Sequence, residues 1–380
     1  MFKLGLKALV FLLILEVILR GAYLTIGPVR RLLWNKGSMP GVRDFSRISN
    51  VGDLVSSLPW SLGPYGNCNG YILNSNGLRT PEYELMKKPG TRRIILLGDS
   101  FLCDFVGLRE EVHFTSHLTQ RLAKSRKVEI INMGVDGAGP KFYLRMLEIE
   151  GSRISPDDVV VCLYVGNDLT DEPESCWGKP TLEQRFASHF FSWRVVHNLF
   201  RVGMLAPGET IFNVPRGGLI RPKNGGYYRP ELYRDWPPLL TYGGFVAMAV
   251  GRSLMYEREW STPLKCQWES VKRSLERMQN LAIECGARFH VLIIPDECQV
   301  DGALSGEVAR RRPGVSLDFG KPQAVIIPFL KSRGIDAVDL LPGFKTEMGK
   351  GVALYRPRNT HWNAAGQNLA AAILAGRLGK

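Results

Sequence analysis

The sequence reads RIILLGDSF at Arg93–Phe101, and this stretch decides the fold of the 380-residue chain. Its isoleucine- and leucine-rich run predicts a buried strand that Gly98 ends, and a helix-like segment follows, so we expect a strand–turn–helix corner. At such a corner the Ser100 hydroxyl points out of the carboxyl edge of a sheet, where open α/β folds hold their ligands. Gly-Asp-Ser is also common turn chemistry, so the tripeptide needs support from the rest of the chain.

The segments beyond this stretch alternate between strand and helix patterns. Further strands are predicted at Val128–Ile131, Val159–Val165, Phe289–Ile294 and Asp336–Asp339. Helices are predicted at Val112–Ala123, Lys141–Glu150, Glu269–Cys285, Pro322–Lys331 and Ala364–Leu378. Because strands that alternate with helices form βαβ units, the pattern predicts an α/β domain with a parallel sheet.

The same pattern divides the chain into three parts. Residues 1–27 are a predicted transmembrane anchor, residues 28–90 a linker and loop-rich lead-in, and residues 91–380 the α/β domain. The alternation breaks between about 170 and 262, where aromatic helix-like sequence and a Gly/Pro-rich stretch predict a long insertion over the sheet edge. With 45% hydrophobic and 22% charged residues, the chain has the composition of a globular protein with a large core.

The N-terminal segment is both apolar and basic. As a helix, Leu4–Ile26 would be about 34 Å long, enough to span a hydrocarbon core of about 30 Å. A cleaved signal peptide with its apolar region at Ala8–Leu15 is one alternative, and a buried amphipathic helix is another. The chain carries a net charge of +13, and residues 1–50 hold eight basic and two acidic residues. That concentration fits anionic lipid headgroups better than nucleic acid.

The cysteines and basic residues show no metal or nucleic-acid pattern. The seven cysteines are odd in number and include no CxxC pair, so neither a zinc site nor a disulfide framework can be read from them. No zinc-finger spacing or basic–aromatic repeat supports nucleic-acid binding. The sequence therefore predicts no nucleic-acid partner and leaves the oligomeric state open.

Four residues carry the candidate chemistry. Ser100, Gly137 and Asn167 follow the first three predicted strands, and His361 precedes the last helix. A serine nucleophile needs a general base, which an imidazole supplies, and a tetrahedral oxyanion needs converging donors. The N–H groups of Ser100 and Gly137 and the amide of Asn167 supply three, so we expect these residues to meet at one edge of the sheet. The segment Pro295–Glu297, after a later strand, is interpreted as a solvated turn, with a place in the same cleft as the alternative.

These blocks resemble the SGNH/GDSL hydrolase superfamily. The matching segments are Gly98-Asp99-Ser100, Gly137, Gly166-Asn167-Asp168 and His361, and two more, Asn76-Gly77-Leu78-Arg79 and His361-Trp362-Asn363, are similar to its membrane-anchored bacterial branch. The resemblance covers residues 70–170 and 280–375 and leaves out the insertion. It implies a flavodoxin-like three-layer sandwich with a five-stranded parallel sheet. It also implies acyl-ester chemistry that needs no metal and no organic cofactor.

The sequence departs from that family at the residue that orients the histidine. Where the family usually has an aspartate two or three residues earlier, this chain has Asn359 and Arg358. An asparagine carbonyl can accept the imidazole Nδ1–H but supplies no negative charge, so it stabilises the imidazolium less. Three outcomes stay open: a Ser–His pair oriented by Asn359, a carboxylate recruited from elsewhere, or an inactive site.

The sequence as a whole predicts a serine-dependent acyl or acetyl esterase, anchored in a membrane by a single pass, with its catalytic domain periplasmic or extracellular. Ser100 is the predicted nucleophile, His361 the general base and then acid, and Asn359 its orienter, while Ser100, Gly137 and Asn167 form the oxyanion hole. The expected substrate is an O-acylated glycan or a lipid ester. The alternatives are an O-acyltransferase that modifies an exopolysaccharide with the same residues, and a non-catalytic carbohydrate-binding protein, which Asn359 favours.

Overall fold

A parallel sheet forms the centre of the computed structural model, which describes residues 14–18, 48–56, 64–68, 71–103, 110–124, 127–170 and 240–379. A short antiparallel pair comes first, β1 (Asn67–Cys68) with β2 (Tyr71–Ile72). The central sheet consists of β3 (Thr91–Gly98), β4 (Lys127–Gly134), β5 (Asp158–Tyr164), β6 (Arg288–Ile294) and β7 (Asp336–Asp339).

Helices cover both faces of this sheet. In chain order they are α1 (Val51–Ser56), α2 (Ser100–Cys103), α3 (Phe114–Leu122), α4 (Pro140–Ile154), α5 (Tyr242–Arg252), α6 (Thr262–Glu284), α7 (Glu297–Val300), α8 (Gly302–Arg310), α9 (Lys321–Ser332), α10 (Leu341–Gly349) and α11 (Ala364–Leu378). Short 3₁₀ turns lie at Glu110–Val112 and Ser253–Tyr256.

The strand order is β4-β3-β5-β6-β7, and all four pairings are parallel. This is the flavodoxin-like order, in which the chain reverses direction between β3 and β5. The α/β fold with a five-stranded parallel sheet, predicted from the sequence, is therefore confirmed. Ser100 follows β3 and so lies at the reversal, where ligands of open α/β sheets bind.

Alternate residues of β3 enter two separate cores. Ile95 and Leu97 pack in a core that includes side chains of α4 and α6. Ile94 and Leu96 pack on the opposite face in a core that includes side chains of α3 and α11. Both faces of the sheet are therefore buried between helices, which explains why its strands read as continuous apolar runs.

Several element bounds differ from the sequence prediction because polar caps decide them. The helix predicted from Glu269 begins at Thr262, because the Ser261 hydroxyl accepts the Leu264 N–H. Helices α1, α5, α7, α8 and α10 were not predicted. The interpretation of Pro295–Glu297 as a solvated turn is wrong: Asp296 is only 2% exposed and caps α7, its carboxylate accepting from the Cys298 N–H at 2.9 Å.

Most of the predicted anchor and insertion lies outside the described residues. Only 14–18 of the anchor at 1–27 are described, and they are helical. None of the helices within the described ranges has the length and apolar character needed to cross a bilayer. From the predicted insertion, α5 and the 3₁₀ turn after it are described, while 171–239 are not.

A buried ionic network lies at the amino edge of the sheet, opposite Ser100. Asp158 is fully buried and contacts Arg92 Nε at 2.6 Å, Arg288 Nε at 2.9 Å and His290 Nε2 at 3.2 Å. Burial alone would raise the pKa of the Asp158 carboxyl, but hydrogen bonds from His290 and Arg92 and the charges of Arg92 and Arg288 lower it to about 2. Asp158 therefore stays ionised at neutral pH, and its contacts join β3, β5 and β6.

This network makes an acid-stability prediction. The folded pKa of Asp158 lies below the ordinary value of about 3.9, so its contribution is present above pH 4 and is lost as the pH falls towards 2. We expect that contribution to be about 2 kcal/mol. Asp158→Asn should lower the free energy of unfolding at pH 7 by about 3 kcal/mol, because it leaves Arg92 buried without its anion.

Denaturant unfolding of the full-length protein at several pH values measures both effects. Glu284→Gln is the control, because the ion pair of Glu284 with Arg277 is exposed and should contribute less than about 0.5 kcal/mol. Equal unfolding free energies for the Asp158→Asn and Glu284→Gln variants at pH 7 would contradict the prediction.

Candidate active site

Ser100 begins α2 directly after β3 and is half-buried. The Asp99 carboxylate accepts the Phe101 N–H at 3.0 Å and so caps the turn between strand and helix. Helix α2 lies across the end of β4, where a Cβ on Gly134 would come within 2.2 Å of the Leu102 Cβ. The GDS segment and the glycine of the neighbouring strand therefore act together to hold the Ser100 hydroxyl at the carboxyl edge.

His361 lies in a loop between α10 and α11 that closes like a hairpin. The Arg356 N–H donates to the His361 carbonyl at 2.8 Å, and the Asn363 N–H donates to the Leu354 carbonyl at 3.0 Å. The Asn363 side chain in turn accepts from the Gly366 N–H at 3.0 Å and caps α11. The capped start of α11 therefore fixes the end of the loop that holds the His361 imidazole.

The imidazole of His361 bridges Ser100 and Asn359. Its Nε2 lies 2.8 Å from Ser100 Oγ, and its Nδ1 lies 2.8 Å from Asn359 Oδ1 and 3.1 Å from the Asn359 backbone oxygen. A backbone carbonyl can only accept, so Nδ1 carries the proton whichever way the side-chain amide is turned. In the neutral imidazole Nε2 is then the unprotonated nitrogen, and it accepts a hydrogen bond from the Ser100 hydroxyl.

The backbone on both sides of Asn359 is strained. Arg358 has φ +48° and Thr360 has φ +67°, and both residues are buried. Left-handed backbone costs on the order of 1–3 kcal/mol at a non-glycine residue, and is least suited to a β-branched one. The Leu240 N–H donates to the Arg358 carbonyl at 3.2 Å and helps to hold this conformation. The strain places both oxygens of Asn359 on the same imidazole nitrogen.

Aromatic rings support the imidazole from one side. The ring centroid of Phe101, the residue after Ser100, lies 5.0 Å from that of His361 and 5.0 Å from that of Trp362. Tyr164, the last residue of β5, packs on the same phenylalanine at 4.3 Å. Phe101 therefore couples Ser100, His361 and β5 in one packed cluster.

A polar group of Tyr164, Asp296 and Arg252 lies next to that cluster, and it was not predicted from the sequence. The Tyr164 hydroxyl donates to the Asp296 carboxylate at 2.5 Å and accepts from Arg252 at 3.0 Å. Burial raises the pKa of the Tyr164 phenol well above its usual range, so the group stays a neutral donor. Asp296 had one sequence signal, its place directly after a strand and a proline. Arg252 had none, because it lies in the range where the pattern breaks.

Gly137 and Asn167 follow the strands on either side of β3. Gly137 follows β4 with φ +69°, a conformation that favours glycine, and Asn167 follows β5 half-buried. The Asp168 carboxylate accepts the Tyr164 N–H at 2.8 Å and so fixes the turn that carries Asn167. Within the described residues, the N–H groups of Ser100 and Gly137 donate no backbone hydrogen bond. Neither N–H group therefore has a backbone acceptor in the part of the chain that the structure describes.

The comparisons with known proteins find a likeness in solved structures alone. No family model matches the chain, and no curated protein is significantly similar to it. An acetyl xylan esterase shares 12% identity at a TM-score of 0.39, over 75% of this chain and 99% of its own. A lipase/acylhydrolase from Enterococcus faecalis shares 14% at 0.39, over 76% and 95%. A catalytic mutant of an acetylxylan esterase from Geobacillus stearothermophilus shares 10% at 0.39, over 77% and 97%. At TM-scores of this size the likeness carries no argument about function.

Proposed function

We propose that the protein is a serine-dependent ester hydrolase of the SGNH/GDSL type that acts on O-acylated glycans or lipid esters outside the cytoplasm. The observation that carries the proposal is the hydrogen-bonded series from Ser100 Oγ through His361 to Asn359. A hydroxyl against the unprotonated nitrogen of an imidazole, whose other nitrogen is fixed by acceptors, is the arrangement of an activated serine nucleophile.

In the first half of the reaction Ser100 Oγ attacks the ester carbonyl carbon while His361 Nε2 takes the hydroxyl proton. The carbonyl oxygen becomes an oxyanion, which the N–H groups of Ser100 and Gly137 and the Asn167 amide stabilise. When the tetrahedral intermediate collapses, the bond to the alcohol breaks and Nε2 returns its proton to the departing oxygen. The acyl group is left as an ester on Ser100.

In the second half a water molecule replaces the alcohol. His361 Nε2 takes a proton from the water, the resulting hydroxide attacks the acyl-enzyme, and the same donors hold the second oxyanion. Collapse returns the proton to Ser100 Oγ and releases the carboxylic acid. Asn359 brings no negative charge to Nδ1, and its two oxygens, at 2.8 and 3.1 Å, stabilise the imidazolium formed in each half.

A disulfide supports the extracytoplasmic setting. Cys266, on α6, is disulfide-bonded, whereas the thiols of Cys162, Cys285 and Cys298 are not in disulfides. Disulfides form and persist in oxidising compartments and are rare in the cytosol. Together with the predicted N-terminal anchor, the disulfide favours a catalytic domain on the outer side of a membrane.

Activity-based labelling tests the proposed function. The full-length protein should hydrolyse p-nitrophenyl acetate, and a fluorophosphonate probe should modify one residue, Ser100, as located by peptide mass spectrometry. Prior treatment with the probe should abolish hydrolysis in proportion to labelling. A protein that neither turns over the ester nor reacts with the probe would not be a serine hydrolase.

The neutral orienter leads to a prediction about Asn359. Asn359→Asp should raise kcat about tenfold, because a carboxylate beside Nδ1 stabilises the imidazolium of the transition state. The same negative charge favours the protonated imidazole in the free enzyme. The acidic limb of the kcat/KM profile should therefore move to higher pH, which a pH–rate series on p-nitrophenyl acetate measures.

Asn368→Asp is the matched control, because it makes the same change on an exposed face of α11, where Asn368 accepts from Arg121. It should leave both kcat and the pH profile unchanged. If Asn359→Asp moved neither quantity, Asn359 would not be the group that orients the base.

A further inference from the structure

A cavity of about 470 Å³ lies beside the outer edge of β4. It is enclosed by that strand, by α3 and by the turn from Arg79 to Tyr83 that precedes β3. A volume of this size is typical of ligand sites, which occupy about 300–1,000 Å³. None of the residues of the Ser–His series lines it, so the cavity is separate from the candidate active site.

The turn that closes the cavity is built by the Asn76-Gly77-Leu78-Arg79 segment. The Asn74 side-chain oxygen accepts from the N–H groups of Asn76 and Leu78, both at 3.0 Å, and Gly77 has φ +74°. This geometry directs Arg79 into the wall, where its guanidinium lies 4.9 Å from the Tyr71 ring and 3.2 Å from Glu110. The segment that resembles a membrane-anchored family therefore shapes a cavity wall.

The wall of the cavity is rich in hydrogen-bond acceptors. Glu110 and Glu129 face it, and each is already paired with an arginine, Glu110 with Arg79 and Glu129 with Arg93. Ser116, on α3, also lines the cavity, and its hydroxyl donates its proton to Glu110 at 2.9 Å. Its oxygen can therefore only accept a hydrogen bond from a ligand. Such a wall pairs best with a ligand that has many O–H donors.

Charge and polarity narrow the ligand class further. Phosphates and carboxylates only accept hydrogen bonds, so they would leave the acceptors of this wall without donors. A cation would have to displace partners that each carboxylate of the wall already has: Glu110 and Glu129 pair with arginines, and Glu82 accepts from the N–H and the hydroxyl of Ser75. An acyl chain would leave the polar groups unpaired. The rings of Tyr71 and Tyr83 suit the apolar face of a sugar, and burial, with the charge of Glu150 adding to it, raises the pKa of Tyr83 to about 12, so its phenol stays neutral.

The cavity is connected to the nucleophile through Asn132. Asn132 lines the cavity, and its side-chain amide donates at 2.9 Å to the carbonyl of Leu102 in α2, the helix that begins at Ser100. It precedes Gly134 by two residues, so the upper end of the cavity is about 7 Å from the carboxyl edge of the sheet. Gly134 is in register with Gly98, two residues before the nucleophile.

We infer that this cavity is a subsite for an uncharged sugar residue of a glycan, held next to the sugar whose ester reaches Ser100. Its catalytic relevance rests on the proposed function, but sugar binding in the cavity does not. The subsite assigns the glycan, in preference to the lipid ester, as the natural substrate class.

A steric block of the cavity mouth tests the inference. Gln120 lines the cavity from α3 and is exposed, so Gln120→Trp fills the mouth without disturbing a core. Lys124→Trp is the control, because it places a tryptophan four residues further along, just past the end of α3, at an exposed residue outside the lining. Titration calorimetry of the full-length proteins would use neutral cello-, xylo-, manno- and malto-hexaose, hexagalacturonate, and a chitosan hexamer.

We expect at least one neutral hexasaccharide to bind the wild-type and Lys124→Trp proteins equally, and to bind Gln120→Trp at least tenfold more weakly. Gln120→Ala, which opens the mouth, should retain binding and guards against misfolding of the tryptophan variant. The inference is overturned if no neutral sugar binds, if Gln120→Trp binds as tightly as the wild type, or if the charged hexamers bind better.

Hydrolysis of p-nitrophenyl acetate by the wild-type protein separates this inference from the proposed function. Turnover without cavity-dependent sugar binding would leave the esterase and remove the subsite. Sugar binding that Gln120→Trp weakens, in a protein without turnover, would leave the subsite and remove the esterase.

Discussion

Ser100→Ala is expected to lower kcat for p-nitrophenyl acetate at least about 10⁴-fold and to abolish fluorophosphonate labelling. In the proposed mechanism the Ser100 hydroxyl is the group that attacks the ester, and it lies 2.8 Å from His361 Nε2. In serine hydrolases, removal of the nucleophile leaves the contribution of the oxyanion hole and of binding, which is a small residue of the full rate acceleration. The stability of the protein should be unchanged, because the substitution removes one half-buried oxygen from a turn that Asp99 caps.

Stopped-assay kinetics and a thermal melt on the same preparation measure these two expectations. Ser332→Ala serves as the comparison, since Ser332 is an exposed hydroxyl at the end of α9 that donates only to the local Phe329 carbonyl. It should keep full activity. Retention of more than about one per cent of wild-type kcat by Ser100→Ala would show that another group attacks the ester.

His361→Ala should lower kcat by about 10³- to 10⁴-fold, because the Ser100 hydroxyl loses the only group positioned to take its proton in the described part of the chain. The substitution leaves space for an imidazole molecule between Ser100, Asn359 and the Phe101 ring. Added imidazole should therefore restore part of the rate, and the rescue should rise with pH as the free imidazole loses its proton.

His117→Ala provides the parallel change at a partly exposed histidine on α3 and should behave as the wild type. Loss of activity without any rescue would indicate that the aromatic contacts of His361, and not its basicity, explain the defect. Equal loss in both variants would point to a general effect of histidine removal on the preparation.

The fold could be predicted from the sequence because its signals are local and repeated. The run Ile94–Leu97 supplies alternate residues to two cores, so it stays apolar along its whole length and can be recognised without neighbours. Helix starts were harder to predict, because a single side chain such as Ser261 moves a boundary by two turns. Helices α7 and α8 follow Asp296 and Asp301, which cap them through local N–H groups, but both helices are too short to show a long apolar period in the sequence.

The residue types of the candidate site could be predicted from the sequence, but the contacts that hold those residues in place could not. Ser100, Gly137, Asn167 and His361 follow from their places at strand and helix ends. The backbone oxygen of Asn359 could not be foreseen, because it reaches the imidazole through left-handed backbone at residues whose side chains disfavour it. The Tyr164–Asp296–Arg252 group joins three segments distant in sequence, so its hydrogen bonds exist only once the chain has folded.

The hydrogen bond from Leu240 to the Arg358 carbonyl has a practical consequence for anyone shortening the chain. Leu240 is the first described residue after Thr170, and its N–H donates to the carbonyl of the residue just before Asn359. A deletion that joins residue 170 to a position beyond 240 would remove this hydrogen bond. The strained left-handed backbone at Arg358 and Thr360 would then be free to relax. Trimmed variants should therefore keep Leu240 and Thr241. A fall in turnover without a fall in melting temperature would indicate that the His361 imidazole is no longer held in position.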